Sequence, residues 1–317
     1  MKASSKEIVI SALKSKRSDR PPIMLLTSLH AIRVLGLTVP EVRVSSELNF
    51  KAQAKALEIY EYDNVFQYWD LAMFLELMGG KVRPIKDSSP SIVEPLIKGP
   101  EHLSSLKIPD LKAESPLKES LKCLEKLVKT FGDDIAICTG AVGPFTFAGV
   151  LRGIESFMVD LSKNKDFALK LIDWSYEFQE KYVDLLCGIG ALIINVSDPM
   201  STFIPPIKFD EFVKPYLINI FKKIRQAGKY SILHVCGNVS KILDRMVSTE
   251  ADCLWIDQHV SINEARKIVG NKCLMGNVDP VNVLMMGKKE DVRDEAIRCI
   301  KEGLKEGEFI LSAGCEV

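Results

Sequence analysis

Residues 191–237 read ALIINVSDPMSTFIPPIKFDEFVKPYLINIFKKIRQAGKYSILHVCG. Two short apolar runs, ALIINVSD (Ala191–Asp198) and SILHVCG (Ser231–Gly237), flank a longer segment, Lys208–Ala227, whose apolar residues recur near i, i+3, i+4 and i+7. The runs are continuously apolar rather than alternating, as suits parallel strands covered on both faces. Strand, helix, strand is the repeating unit of an α/β fold. The pattern extends both ways along the chain. Further strand candidates are PIMLL (Pro22–Leu26), NVFQYWD (Asn64–Asp70), IAICTG (Ile135–Gly140), CLWIDQ (Cys253–Gln258), CLMGNVD (Cys273–Asp279) and FILSAGC (Phe309–Cys315). Helical periodicity covers Pro116–Thr130, Lys163–Leu186, Val239–Thr249 and Glu290–Lys305. Eight such strands in 317 residues predict a closed (β/α)8 TIM barrel, an α/β fold, formed by residues 1–317 as a single domain. The opening residues, MKASSKEIVISALKSKRSDRPP, have helical spacing and predict an N-terminal helical extension. No GxGxxG follows the first strand, which argues against a dinucleotide-binding fold.

Charge and composition exclude other classes. Lysine plus arginine and aspartate plus glutamate both number 42, so no basic surplus draws the chain to nucleic acid. No run approaches the ~20 apolar residues of a membrane span, and the N-terminus lacks a signal-peptide core. A cytoplasmic protein is expected. The eight cysteines are scattered without framework spacing, as reduced thiols are. Cys123, Cys138, Cys187 and Cys299 sit in apolar or helical contexts and read as small core residues.

In a barrel of this kind, chemistry sits where the strands end. The polar endings are Asp70, Asp198, His234 with Cys236, Asp257, Asn277 with Asp279, and Cys315. Residues i and i+2 of a strand point to one side, so His234 and Cys236 project together into the mouth. Cys315 ends the last strand and completes a His-Cys-Cys set. Three soft or borderline ligands favour zinc over magnesium or calcium. Three protein ligands leave a fourth position open, as in catalytic zinc sites.

The stretches HVCGN, GNVDP, SDP followed by FDEFVKPY, GPFTFAGVLRG and SAGC resemble the uroporphyrinogen decarboxylase superfamily, and within it the zinc-dependent methylcobalamin:coenzyme M methyltransferase branch. The resemblance runs over nearly the whole chain. It implies that His234, Cys236 and Cys315 bind zinc, and that Asp257 fills the fourth zinc position before substrate arrives. It implies a methylated corrinoid, free as methylcobalamin or carried by a corrinoid protein, as methyl donor. The acceptor is a thiol such as coenzyme M, or another acceptor such as tetrahydrofolate. The chemistry is consistent: two cysteinates and a neutral histidine cancel the charge of zinc, so a thiol joining them as thiolate keeps its nucleophilic charge. Arg152 is a candidate partner for the sulfonate of coenzyme M.

Uroporphyrinogen decarboxylase itself is the alternative reading, with a non-catalytic corrinoid- or zinc-binding module as a third. YWDLAMFLELMGGKV resembles the segment that holds the decarboxylase's pyrrole-binding aspartate, which would be Asp70. Its arginine-rich RQAGRY signature is replaced here by PPIMLLTSLHAIRVLG, where only Arg33 is near. Asp70, Asp198 and Asn277 are candidate cofactor-binding residues. For each a plainer role stands beside that one: Asp70 as a capping carboxylate, Asp198 as a strand end or an acceptor orienting a zinc ligand, Asn277 with Asp279 as turn formers. His30 and His259 fall near the mouth, and His102 on the surface. The family continues past Gly-Cys with a Pro-rich turn and a last helix, so the C-terminal end reads as shortened and one flank as less well covered.

Overall fold

The computed structural model describes residues 3–317. Nine strands occur in chain order: β1 (Asn64–Phe66), β2 (Val82–Ile85), β3 (Ser88–Ile92), β4 (Ala136–Val142), β5 (Ile193–Ser197), β6 (Tyr230–Val235), β7 (Cys253–Ile256), β8 (Cys273–Val278) and β9 (Phe309–Ala313). Seven of them form one curled parallel sheet in the order β1-β4-β5-β6-β7-β8-β9, and β2 and β3 form a separate antiparallel hairpin. Each of the seven overlaps a run read as a strand from sequence, β4 extending two residues past Gly140 and β6 starting one residue before Ser231.

The eighth run, Pro22–Leu26, is not a strand. Ile23 makes an isolated parallel bridge to Leu311 of β9, with Met24 N–H donating to the Leu311 carbonyl (3.0 Å) and Leu311 N–H to that of Pro22 (2.9 Å). Towards β1, one backbone bond remains, from Asp63 N–H to the Ile23 carbonyl (2.8 Å), and side chains supply the rest. The Asn64 amide accepts from Leu25 N–H (2.9 Å) and donates to the Leu25 carbonyl (3.1 Å), and Asp63 accepts from Ile23 N–H (2.7 Å). Pro21 and Pro22 have no N–H to offer a neighbouring strand, so the ring of the TIM-barrel-like fold closes through this short bridged segment.

Asp63 carries much of that closure. Its carboxylate also accepts from both terminal nitrogens of Arg20 and from Ser5 Oγ, each at 2.6 Å, tying the first helix (Ser5–Leu13) to β1. Burial pushes this carboxyl up, but the hydrogen bonds from Arg20, Ser5 and Ile23 outweigh it and the net shift is downward. A depressed folded-state pKa contributes stability above the unfolded value of about 3.9, and that contribution is lost as pH falls through the lower folded value. Asp63→Asn is therefore expected to cost about 2–3 kcal/mol near neutral pH, less than a fully buried pair would because Arg20 is half exposed. Thermal melts from pH 6 down to pH 2 are the check: wild type and variant should converge at the acid end.

The barrel interior has two layers. Below, Cys138, Ile193, Ile232, Cys253, Cys273 and Ile310 pack into an apolar cluster, closed from beneath by Val9, Ala12 and Leu13 of the first helix. Above, the inward positions turn polar. The larger apolar cluster lies outside the sheet, where helices such as Pro116–Phe131 and Lys165–Ile189 cover it. The periodicity over Lys208–Ala227 resolves into two helices, Pro206–Phe212 and Lys214–Gln226, because Pro215 cannot donate back into the preceding turn. Val239–Thr249 narrows to Leu243–Val247. Cys123, Cys138 and Cys299 are fully buried, whereas Cys187 is partly exposed. On one flank an apolar groove of about 380 Å³ runs between Ile23, Tyr60, Val292, Leu311 and Val317. Among the described residues no helix is long and apolar enough to cross a membrane.

Candidate metal centre

His234 is the fifth residue of β6, in register with Trp255 of β7. Its imidazole lies over the Trp255 indole, ring centroids 4.2 Å apart, and its Nδ1 is 3.2 Å from the Trp255 carbonyl. A carbonyl can only accept, so Nδ1 carries the proton and Nε2 keeps its lone pair. That lone pair faces Cys236 Sγ at 3.0 Å. Cys236 follows the end of β6, and its sulfur is 3.5 Å from that of Cys315, two residues past β9. The three ligand atoms all lie within 4.8 Å of one another, and among the described residues no other such group of three or more histidine, cysteine or acidic side chains occurs. Tetrahedral zinc holds nitrogen and sulfur about 3.6 Å apart and two sulfurs about 3.8 Å apart. The observed 3.0 and 3.5 Å thus fit after the ligands open by a few tenths of an ångström.

The two thiols act as a pair. The hydrogen bond from Cys236 lowers Cys315 to about 4, and the same bond, with burial, pushes Cys236 up.

The backbone around both cysteines is pinned. Gly237 has φ +85°, a conformation a side chain would strain, and its N–H donates to Asp257 Oδ2 at 2.9 Å. The other oxygen of Asp257 accepts from His259 N–H (3.0 Å). Asp257 therefore lies outside the three-ligand group and holds the turn that follows Cys236. Cys315 is set by Gly314 N–H donating to the Val278 carbonyl (2.8 Å) and Val317 N–H to that of Leu26 (3.0 Å). Between them, Glu316 accepts from Ser28 Oγ (2.6 Å) and Leu29 N–H (3.3 Å).

The group opens on a cavity of about 330 Å³ lined by His234, Cys236, Cys315, Glu316, Asp70 and Asn195, with Trp69, Phe66 and the β2–β3 hairpin on the walls. Gly140 allows Trp69 to stand there: a Cβ at 140 would come 2.4 Å from the indole. Asp70 is at the wall but fully engaged. It accepts from Arg43 Nε (2.8 Å) and Nη2 (3.2 Å), from Tyr68 OH (2.9 Å) and from Met73 N–H (3.2 Å).

The remaining candidates are away from the cavity. Asp198 is buried with its Oδ1 on Thr146 N–H (3.0 Å) and Thr146 Oγ1 (2.5 Å), capping the helix Pro144–Arg152. Burial raises this carboxyl to about 7, and its Oδ2 has no hydrogen-bond partner. Only its backbone meets the centre, through Asp198 N–H to the His234 carbonyl (3.0 Å). Asn277 Nδ2 donates to the carbonyls of Asp257 (3.0 Å) and Val260 (2.7 Å), shaping the loop after β7. Asp279 accepts from Val281 and Asn282 N–H as a turn former. Arg152 is spent on Asp160 (2.8 Å) and the Lys98 carbonyl (2.9 Å) and does not reach the cavity, which corrects its reading as a sulfonate partner. His30 bonds Tyr60 OH (2.8 Å).

Sequence reasoning passed over Arg43, Glu316 and the hairpin. Arg43 had a signal: with Val39 and Val42 it falls at i, i+3 and i+4 of one capped helix, so the apolar face carries it inward. Glu316 is the direct neighbour of a candidate ligand.

A family model described as uroporphyrinogen decarboxylase (URO-D) matches residues 4–317. Among curated relatives, the methylcobamide:CoM methyltransferase MtbA of Methanosarcina mazei is 26% identical, over 98% of this chain and 92% of its own. The methylcobamide:CoM methyltransferase MtaA of Methanosarcina barkeri is 26% identical over 98% and 91%. A uroporphyrinogen decarboxylase of Prochlorococcus marinus is 26% identical over 97% and 91%. A solved methyltransferase from Methanosarcina mazei superposes with a TM-score of 0.89 at 25% identity, covering 100% of this chain and 94% of that one. With its family model matched from residue 4 to residue 317, the chain belongs to the uroporphyrinogen decarboxylase (URO-D) family.

Proposed function

We propose that this protein is an enzyme that moves a methyl group from a methylated corrinoid to a thiol, with a zinc ion held by His234, Cys236 and Cys315. The observation that carries the reading is the convergence of these three side chains on a cavity wall with no fourth protein ligand in the group. A closed structural site would use four ligands; three facing a cavity leave one position for substrate. The relatives named methylcobamide:CoM methyltransferase and the methyltransferase neighbour support the same chemistry.

Zinc bound there supplies the positive charge that keeps an incoming thiol ionised at neutral pH. The residues do the rest. Nδ1–H of His234, held by the Trp255 carbonyl, fixes the ring's orientation and leaves Nε2 to face the metal. Two ionised cysteines and a neutral imidazole balance a divalent charge, so the substrate sulfur keeps its own negative charge. That sulfur attacks the methyl carbon: the S–C bond forms, the Co–C bond breaks with its electron pair left on cobalt, Co(III) becomes Co(I), and the thiol proton passes to solvent. Asp257 keeps the Cys236–Gly237 turn in place during this transfer.

The cavity, about 330 Å³, is far smaller than a corrin macrocycle with its side chains, so the donor stays at the mouth. Phe203 and Ile207 in the connection that follows β5, the latter on the helix Pro206–Phe212, and Met285 and Met286 in the connection that follows β8, stand about 70% exposed on that face. They offer apolar contact to a corrinoid presented by a carrier protein. A reducing compartment such as the cytoplasm keeps Cys236 and Cys315 available as thiols.

The decarboxylase reading fares worse on two observations. Asp70, which would bind pyrrole N–H groups, already accepts four hydrogen bonds. No arginine lines the cavity to receive the substrate's carboxylates. The test is spectrophotometric: zinc-loaded protein mixed with methylcobalamin and a thiol is expected to bleach the methylcobalamin band, to stop when zinc is chelated and to resume when zinc returns. Absence of demethylation with every thiol tried would overturn the reading.

A further inference from the structure

The cavity that holds the metal ligands has no cation on its wall. Among the described residues that line it there is no lysine or arginine, and its one histidine is the ligand His234. The guanidinium of Arg43 lies behind Asp70 and is shared between Asp70 and Glu76. Two carboxyl groups, those of Asp70 and Glu316, do face the space.

The hydrogen-bonding groups point the same way. Ser28 Oγ–H is committed to Glu316 (2.6 Å). Tyr68 OH donates to Asp70, so the Ser89 hydroxyl, 3.2 Å away, donates to Tyr68 rather than into the cavity. Asn195 Nδ2 is spent on Ser197 Oγ (3.2 Å), while Asn195 Oδ1 is buried with no partner. What the wall has left over carries no positive charge: Glu316 Oε2 and the Asn195 amide oxygen as acceptors, and the Ser197 hydroxyl, which accepts from Asn195 and keeps its own O–H, as a neutral donor. The remainder is apolar, from Leu26, Phe66, Trp69, Leu71 and Ile92.

An anion accepts hydrogen bonds and cannot donate them. A sulfonate or carboxylate placed against this wall would lose its hydration beside the carboxyl of Glu316, with no opposite charge to repay the loss. A hydroxyl or an apolar chain meets no such penalty.

We propose that the methyl acceptor is a small uncharged thiol, one whose far end is apolar or carries a neutral hydrogen-bond donor, and not an anionic thiol such as coenzyme M. This rests on the methyl-transfer reading and narrows its substrate. It also separates the chain from its relatives, whose names specify coenzyme M. The volume of about 330 Å³ sets the size limit.

The test compares 2-mercaptoethanol with 2-mercaptoethanesulfonate, which share a two-carbon thiol and differ only in a hydroxyl against a sulfonate. Zinc-loaded protein is assayed with methylcobalamin, each rate corrected for the thiolate fraction in solution. The expected result is kcat/KM at least about tenfold higher for 2-mercaptoethanol. Zinc-edge X-ray absorption, which needs no turnover, should show the sulfur shell growing with 2-mercaptoethanol at concentrations where the sulfonate leaves it unchanged. Ile92→Lys, which adds an ammonium to the wall, should shift selectivity about tenfold towards the sulfonate. Equal or better use of the sulfonate by the wild type would overturn the proposal while leaving methyl transfer intact, as would unchanged selectivity in the lysine variant. Transfer to neither thiol, with no sulfur added to zinc, would sink the methyl-transfer reading and this proposal with it.

Discussion

Cys236→Ser is expected to strip the protein of most of its metal and to remove methyl transfer with it. Cys236 is the middle of the group, 3.0 Å from His234 Nε2 and 3.5 Å from Cys315 Sγ. A serine hydroxyl is nearly the same size but stays protonated and binds borderline-soft metals poorly. Two ligands would remain. Zinc sites of this kind are worth roughly 10–16 kcal/mol at neutral pH, so one ligand in three is worth about 3–5 kcal/mol, or a factor of about 10²–10⁴ in affinity. Demethylation of methylcobalamin at limiting zinc should fall by a similar factor. The fold should survive, because Cys236 sits beyond the end of β6 and contributes nothing to the lower apolar layer. Metal analysis against a competing chelator, with circular dichroism as the control for folding, makes the measurement. A folded Cys236→Ser protein that holds one zinc per chain at wild-type affinity would remove this residue from the ligand set and the proposed reaction with it.

Such a prediction can be framed from sequence because the metal-ligand pattern is local. His234 and Cys236 are two apart across the end of a run read as a strand, and strand periodicity aims both inward. Cys315 needed only the further inference that the last strand opens on the same mouth. The seven short apolar runs were legible for the same reason: each overlaps a strand whose residues are nearly all buried. Pro22–Leu26 misled because its composition is that of a strand while its two prolines deny it a ladder. The Asn64 and Asp63 side chains that stand in for most of that ladder carry no periodic signature. The β2–β3 hairpin was missed because its strands are short and mostly exposed, so no apolar alternation marks them. The role of Asp257 depends on the left-handed turn at Gly237, which only the folded backbone reveals. Asp198 and Asn277 were rightly placed at strand ends. Strand ends also need capping, though, and sequence alone could not separate that duty from contact with a ligand.

Arg43 brings the largest stability effect expected of any single change. Its side chain is 7% exposed and bridges Asp70, 3% exposed, to Glu76, 25% exposed. Burial works against its charge, but the hydrogen bonds it donates to Glu76 and Asp70 more than reverse that, and its pKa is raised. Three segments meet at this guanidinium: the helix Val39–Arg43, the chain leaving β1, and the helix Ala72–Leu77. Arg43→Leu keeps most of the volume but leaves Asp70 facing apolar surroundings with only Tyr68 OH and Met73 N–H as donors. Removing one partner of a buried pair costs about 3–5 kcal/mol, far more than the pair itself is worth. Urea unfolding followed by circular dichroism should show that loss in the midpoint without a change in slope. The double variant Arg43→Leu/Asp70→Asn should recover a substantial part of it, because the unpaired charge is then gone. If the single variant lost less than about 1 kcal/mol, Arg43 would have to be reclassified as an ordinary solvated arginine. The same experiment bears on function, since Asp70 forms part of the cavity wall. With its clamp removed, that carboxylate regains free acceptor positions and the cavity becomes more negative. The preference for an uncharged over an anionic thiol should then sharpen in whatever fraction of the variant remains folded.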